Sequence, residues 1–323
     1  MKLRINVLTL MLGLLGGLFS CSQEELQEIP DDELICDVSL VLSMGDIQTK
    51  AVTNYTYATE EELTIGNCHV AVFEVDMNNK PTNRIHFQNF SGSTDMGTLT
   101  DQIIGDLSGY KLTLDNVRTF GKEPKKVRVL IVANADNSIF TNWTTYGQYV
   151  SGTLKTSVFN ASALVKVGIS DVTTLTYGQT NRDTNIYVSL NQLSAKIIYE
   201  GVYNEEGDKE ESFSLAEVSG INMQSQVSIF NTSQVENTAY TPGSVSNTNT
   251  FYTYETLSEV NNIVLSVNKK GVSKAQEYKF AANKFIKGNL YKIKGNYIPL
   301  ISFSITWVVE DMGRQPVTIP DFE

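Results

Sequence analysis

The chain has 323 residues, with 25 Lys+Arg against 36 Asp+Glu and a formal net charge of −11. At 41% hydrophobic and 19% charged residues it can bury real cores and is not a disordered polymer, and its length allows about two domains. The acidic balance excludes nucleic acid as an electrostatic partner, because phosphate binding needs a basic face. Two histidines and three cysteines leave little material for a zinc site or a Cys/His nucleophile. Composition therefore points away from an enzyme.

In chain order, Lys2 and Arg4 form a basic start, and Val7 to Phe19 is almost wholly apolar. That run is shorter than the ~20 residues that cross a bilayer, so residues 1–20 read as a signal peptide. The run ends in Leu18-Phe19-Ser20-Cys21, which resembles the bacterial lipobox. The resemblance implies cleavage before Cys21 and lipidation of its thiol and new amine. Cleavage there removes Lys2 and Arg4 and takes the net charge from −11 to −13; acyl chains would hold such a protein on a membrane despite that charge. Ser22-Gln23-Glu24-Glu25 is similar to the acidic tag of surface-exported Bacteroidetes lipoproteins, and also reads as a solvated linker. Residues 21–35 are expected to be a flexible acidic tether.

Beyond the tether, Cys36 to Ser43 alternates apolar and polar residues with period two, as a half-buried strand does. A polar break follows from Gly45 to Glu62. His69 to Val75 is the next strand, closed by Asn78-Asn79. Lys111 to Leu114 is a third. Lys126 to Asn134 carries the strongest signal, and its continuous apolar end predicts a mid-sheet position. Residues 142–185 predict loops and a short helix or two. Asn185 to Tyr199 restores strand character on both sides of a short break. Further strands are expected near Phe213, from Ser225 to Phe230, Asn262 to Val267, Tyr278 to Phe280, Leu290 to Lys294 and Ser302 to Val309, with Val317 to Ile319 near the end. The Ser/Thr/Asn-rich stretch from Asn231 to Thr250 reads as one long loop. Short strands separated by frequent turns predict an all-β protein of sandwiches.

Five features, in order, resemble the Bacteroidales fimbrillins, the type V pilin precursors. They are the lipobox at Cys21; a first strand followed by Thr49-Lys50-Ala51-Val52 and then Val70-Ala71-Val72-Phe73; the strand Val129-Leu130-Ile131-Val132-Ala133-Asn134-Ala135; Leu193-Ser194-Ala195-Lys196-Ile197; and Asn289-Leu290-Tyr291-Lys292-Ile293 with the closing stretch Trp307 to Phe322. The resemblance implies two tandem transthyretin-like β-sandwich domains, here residues 36–187 and 188–323. It implies a structural subunit of a surface fimbria that supports adhesion, without catalysis or cofactor. Its partners would be other fimbrial subunits, a surface receptor or glycan, and the outer membrane through the lipid before processing. It also implies an assembly route. A trypsin-like protease cuts at Lys50-Ala51, the strand bearing Val38, Leu40 and Leu42 leaves, and a strand from the next subunit fills the groove. The best-known members are cut after Arg, whereas this chain has Lys50. Val308, Val309, Val317, Ile319 and Phe322 would lie in the donor strand. Complementary ends of this kind propagate a filament instead of closing a dimer.

Other residues carry competing readings. Cys36 and Cys68 form either a disulfide, which would tether the first strand, or two small buried residues. His69 and His86 lack neighbouring ligands for a metal. Asp31-Asp32-Glu33 and Glu60-Glu61-Glu62 read as solvated carboxylate runs. The rival function is an outer-membrane glycan-binding lipoprotein of a polysaccharide-uptake system. Trp143, Tyr146 and Tyr149 would be its sugar platform, or else they pack in the interior.

Overall fold

The computed structural model describes residues 35–44, 58–91, 100–104, 107–118, 123–156, 159–178, 185–219, 223–230, 239–240, 250–256, 264–274, 276–279, 284–298 and 302–311. Cys21, Lys50, Ala51, Val317, Ile319 and Phe322 lie outside these residues, as do the signal peptide and nearly all of the tether.

The described chain is all-β apart from a few short helical turns. The first half contributes β1 (Ile35–Met44), helix α1 (Glu60–Leu63), β2 (Asn67–Val75), β3 (Pro81–Ser91), β4 (Thr100–Ile104), β5 (Leu107–Arg118), β6 (Lys125–Ala133), helix α2 (Tyr146–Ser151), β7 (Thr153–Lys155), β8 (Lys166–Ile169), β9 (Thr173–Leu175) and β10 (Asn185–Gln192). The second half contributes β11 (Ser194–Tyr203), β12 (Phe213–Ser219), β13 (Met223–Gln224), β14 (Gln226–Ser228), β15 (Ala239–Tyr240), β16 (Thr250–Tyr254), β17 (Val264–Lys269), β18 (Gln276–Lys279), β19 (Asn289–Ile298) and β20 (Ser302–Asp311).

β1 to β10, except β7, form a nine-stranded sheet in the order β3-β2-β6-β8-β10-β1-β5-β4, with β9 beside β6. The second half forms a six-stranded sheet, β15-β13-β16-β11-β19-β20, and a three-stranded one, β12-β17-β18. β7 and β14 pair as a two-stranded ribbon that ties the halves together. Both halves repeat one arrangement. β1 lies between antiparallel β5 and parallel β10, and β11 lies between antiparallel β16 and parallel β19.

The nine-stranded sheet folds over on itself through β10, whose early residues pair with β1 and whose last two pair with β8. Gly168 lets the strands approach there: a Cβ on it would lie 2.3 Å from the Ser189 carbonyl oxygen. The folded sheet encloses a core. Val38, Leu40 and Leu42 of β1, Leu112 and Leu114 of β5, and Ile186, Val188 and Leu190 of β10 meet Cys68, Val70 and Val72 of β2 and Val127, Val129 and Ile131 of β6.

The continuous apolar run of β6 has its cause here. Alternate residues, Leu130 and Val132, point the other way into a second core, with Ala71 and Phe73 of β2. That second core also takes Leu193, Val227, Ile229 and Tyr254 from the second half of the chain. β2 and β6 are therefore buried on both faces, as the sequence predicts for β6. β10 runs through the boundary expected at 187/188, because its ladder partners all belong to the first half.

Candidate assembly site: an inserted first strand and the joint beside it

β1 is a mid-sheet strand. Its residues from Ser39 to Met44 pair with Asn185 to Leu190 of β10 in parallel, while Ile35 to Ser43 pair with β5 in antiparallel register. Leu40 stands between Ile186 on one side and Leu112 on the other. Val38, Leu40 and Leu42 are completely buried. The alternation read from the sequence is thus a row of core plugs on a strand with ladders on both edges. Transfer of such side chains from water stabilises by about 1.5–3 kcal/mol each. If β1 left, the facing edges of β5 and β10 would lose their partners over the same stretch, and three side-chain pockets would empty. An extended strand with the same alternation is the complementary occupant.

Two features weaken the hold on β1. A bulge interrupts the β5 register between Cys36 and Val38. The Ser39 hydroxyl is buried without a hydrogen-bond partner. Asp37 adds a local tie by accepting from the Asn116 backbone N–H at 3.1 Å.

Cys36 and Cys68 are free thiols in the same core. β1 and β2 are not ladder neighbours, and of the two open readings the structure has the packed pair. Burial raises the Cys36 thiol to about 11, with Asp37 adding to it. Burial alone pushes Cys68 higher still. Both thiols stay protonated and unreactive near neutrality.

The next described element after β1 is α1, which lies beyond Lys50 in the sequence. Thr59 and Glu62 form a capping box: Glu62 Oε2 accepts from Thr59 N–H at 2.7 Å, and Thr59 Oγ1 accepts from Glu62 N–H at 3.2 Å. Glu62 is only 1% exposed. Its Oε2 also accepts from Lys196 Nζ of β11 at 2.8 Å, and its Oε1 accepts from the Tyr252 hydroxyl of β16. Glu62 is therefore not part of a solvated run, although Glu61 beside it is exposed. The difference follows from the helix, which aims Glu62 at a cation 134 residues away.

The next residues are tied as closely. Asn134 ends β6 in the left-handed region, at φ 59°. Its Oδ1 accepts from Gly66 N–H at 2.8 Å, and its Nδ2 donates to the carbonyls of Thr64 and Leu164 at 2.8 and 3.1 Å. Lys166 is fully buried, and its Nζ donates to the same two carbonyls at 3.2 and 2.9 Å. Burial lowers the Lys166 ammonium to about 8, against the opposing pull of Glu62. Ile65 N–H donates to the Tyr110 hydroxyl at 3.3 Å, and the Ile65 side chain joins the β1 core.

The aromatic residues pack in the second core. Tyr149 is completely buried and stacks with Phe140, while Trp143 and Tyr146 meet the neighbouring rings Phe140, Tyr149 and Phe73. Tyr149 thus packs in the core, and Trp143 and Tyr146 are half-buried against it. His69 lies among these rings, completely buried. Arg84 donates to the Tyr149 hydroxyl, which leaves that hydroxyl to donate to His69 Nε2 at 2.9 Å; Nδ1 then carries the proton and donates to Asn89 Oδ1 at 2.7 Å. Burial lowers the His69 imidazole to about 4, with Arg84 also acting to lower it and the Asn89 bond opposing. No group of His, Cys, Asp or Glu that could hold a metal occurs among the described residues.

Val308 and Val309 lie in β20, opposite Lys292 and Tyr291 in a ladder of ten pairs with β19. They are held in their own sheet. Sequence reasoning missed Glu62, Lys166 and Asn134 as a set. The one local signal was Thr59 followed three residues later by Glu62.

Comparison with known proteins agrees with this architecture. The model of the Fim1F C-terminal domain family matches residues 193–312. A protein of Parabacteroides distasonis (strain ATCC 8503) named as a candidate fimbrium tip subunit, Fim1F, is 50% identical over 334 residues, spanning 99% of this chain and 100% of the relative. This chain belongs to the Fim1F fimbrial family. The crystal structure of a fimbrial assembly protein from the same organism superposes with a TM-score of 0.67 at 45% identity, over 89% of this chain and 99% of that one. A fimbrilin structure from Porphyromonas gingivalis W83 has the same fold at 14% identity, with a TM-score of 0.50 over 90% and 99% of the two chains.

Proposed function

We propose that this protein is a structural subunit of a surface fimbria, placed at or near the fibre end and built to accept a strand from a neighbouring subunit. The observation that carries the strand-acceptor reading is β1: a separate strand, joined to the next described element only through residues 45–57, that plugs the centre of a sheet with Val38, Leu40 and Leu42. Membership of the Fim1F family supports the fimbrial role, and the relative's name supports the terminal place. Adhesion and association with other fimbrial subunits follow from that role.

The assembly sequence begins with lipidation at Cys21 and surface export. Cleavage between Lys50 and Ala51 then frees β1, and an incoming strand restores both ladders and refills the core. Two units are joined in tandem. A division near Leu193 is supported by the end of β10 at Gln192 and by the start of the family match at residue 193. The chemistry is association alone, without a catalytic group.

The test is the intact mass and N-terminus of the protein recovered from its own cells. The expected start is Ala51. A start only at a lipidated Cys21 would overturn strand removal and leave a membrane anchor or a glycan-binding lipoprotein.

A further inference from the structure

We infer that this subunit separates its exchangeable core from its permanent joint, with Thr59–Gly66 as the clasp that holds the joint when β1 leaves. The inference rests on the strand-removal reading for its purpose but not for its geometry.

The core that β1 plugs and the core that joins the two halves lie on opposite faces of β2 and β6. Among the described residues, no β1 residue belongs to the joint core, and none beyond Leu190 belongs to the β1 core. Emptying one therefore removes no side chain from the other. The polar ties divide in the same way. β1 is held by ladders and apolar contact, together with the Asp37 bond. The clasp is held by an ion pair whose side chains are 5% and 1% exposed, a tyrosine hydroxyl and two shared carbonyls. Among the described residues its partners come from β5, through the Tyr110 hydroxyl, from Asn134 at the end of β6, and from β8, β11 and β16, and none from β1. A buried ion pair resists opening, because breaking it leaves a charge uncompensated.

The consequence is directional. A cut between residues 44 and 58 severs β1 from the body without touching a clasp contact. Residues 59–66, downstream of the cut, keep their ties to both halves, so the subunit remains one stiff unit while its groove changes occupant. Among the described clasp side chains Ile65 alone lies in the β1 core, and it remains to line the groove.

Amide hydrogen exchange on the full chain tests this. Leu40→Asp places a carboxylate at the centre of the β1 row and drives that strand outward. Exchange is expected to rise about tenfold or more in residues 35–44, 109–118 and 185–190. It should hold at the parent rate in 153–155, 194–198, 226–228 and 250–254. Equal loss in the second set would overturn the separation. If Leu40→Asp does not fold, Leu40→Ala gives the same comparison with a smaller rise in the first set. The reverse case is Glu62→Gln, which removes the carboxylate charge 2.8 Å from Lys196 Nζ. It should loosen 194–198 and 250–254 and leave 35–44 at the parent rate; loosening of β1 to the same degree would also overturn the inference. Exchange reads geometry alone, whereas the amino-terminal mass from cells reads strand removal alone, so failure of one is distinct from failure of the other.

Discussion

Ser39 and His69 show how single groups set the limits of this molecule. Ser39 is completely buried in β1, and its hydroxyl has no partner. A buried unpaired hydroxyl costs about 1–3 kcal/mol. Ser39→Ala removes that cost and adds no bulk. The variant is expected to melt higher than the parent by calorimetry and to exchange β1 amides more slowly; a lower midpoint would show that the hydroxyl is satisfied in solution. His69 acts through pH. Its folded value of about 4 lies below the ordinary 6.5 because burial disfavours the cation. Between those values the unfolded chain binds the proton and the folded chain does not. Stability is therefore complete above about pH 6.5 and is lost as pH falls towards 4, by roughly 3 kcal/mol for this fully buried ring. His86 is lowered to about 4 as well, first by burial and then by Arg118 and Arg84. Denaturation at pH 7 and pH 4.5 should show the decline, and His69→Gln should remove about half of its histidine part. A flat profile in the parent would contradict the buried neutral imidazole.

At the scale of elements, the strands with strong local patterns were legible and the ones defined by their neighbours were not. The first strand, β2, β6 and the β10–β11 pair follow from alternation or an unbroken apolar run. β3 gave no signal, because Thr82, Asn83, Arg84 and Gln88 interrupt any period. It is an edge strand fixed by β2, by the Arg84 guanidinium 4.1 Å from the Phe87 ring centroid, and by bonds from Arg84 to the Phe140 and Thr141 carbonyls. β16 begins at Thr250, where the polar loop was expected to end, and its buried Tyr254 packs in the joint core while Tyr252 bonds Glu62. The site divides in the same manner. Val38, Leu40 and Leu42 declared their face by spacing. Glu62 did not, because its charge partner is distant in sequence and only the fold brings them together. Two predictions follow at this scale. Leu40→Ala should cost about 2–5 kcal/mol by denaturant unfolding, as a large-to-small change in a closed core does. Glu62→Gln removes the carboxylate charge opposite Lys196 and leaves one oxygen where two accepted from Thr59, Lys196 and Tyr252, and should cost about 3–5 kcal/mol. Adding Lys196→Met should return most of that loss. A double variant as unstable as the sum of the singles would mean that the pair is not energetically coupled.

At the scale of the whole molecule, the two ends of the chain are unequal. The first strand depends on its slot for all of its ordered contacts and is joined to the body only through residues 45–57. The last described strand, β20, is bound by ten cross-strand pairs to β19 of the same sheet. A shaft subunit in a head-to-tail polymer must both accept and donate, so that each complementary end is used once. On the proposed reading this chain accepts a strand by losing its first one, whereas donating β20 would first require breaking that internal ladder. A subunit that accepts without donating terminates the polymer. Each fibre would then carry it at one end only. Gold-labelled antibody against this protein, counted on isolated fimbriae by electron microscopy, should mark a single end of each fibre. Label spaced along the shaft would overturn the terminal place while leaving the fimbrial role intact. It would also require β20 or the residues after it to leave the subunit, which hydrogen exchange over 289–311 in assembled fibres would register as a change of partner at both β19 and β20.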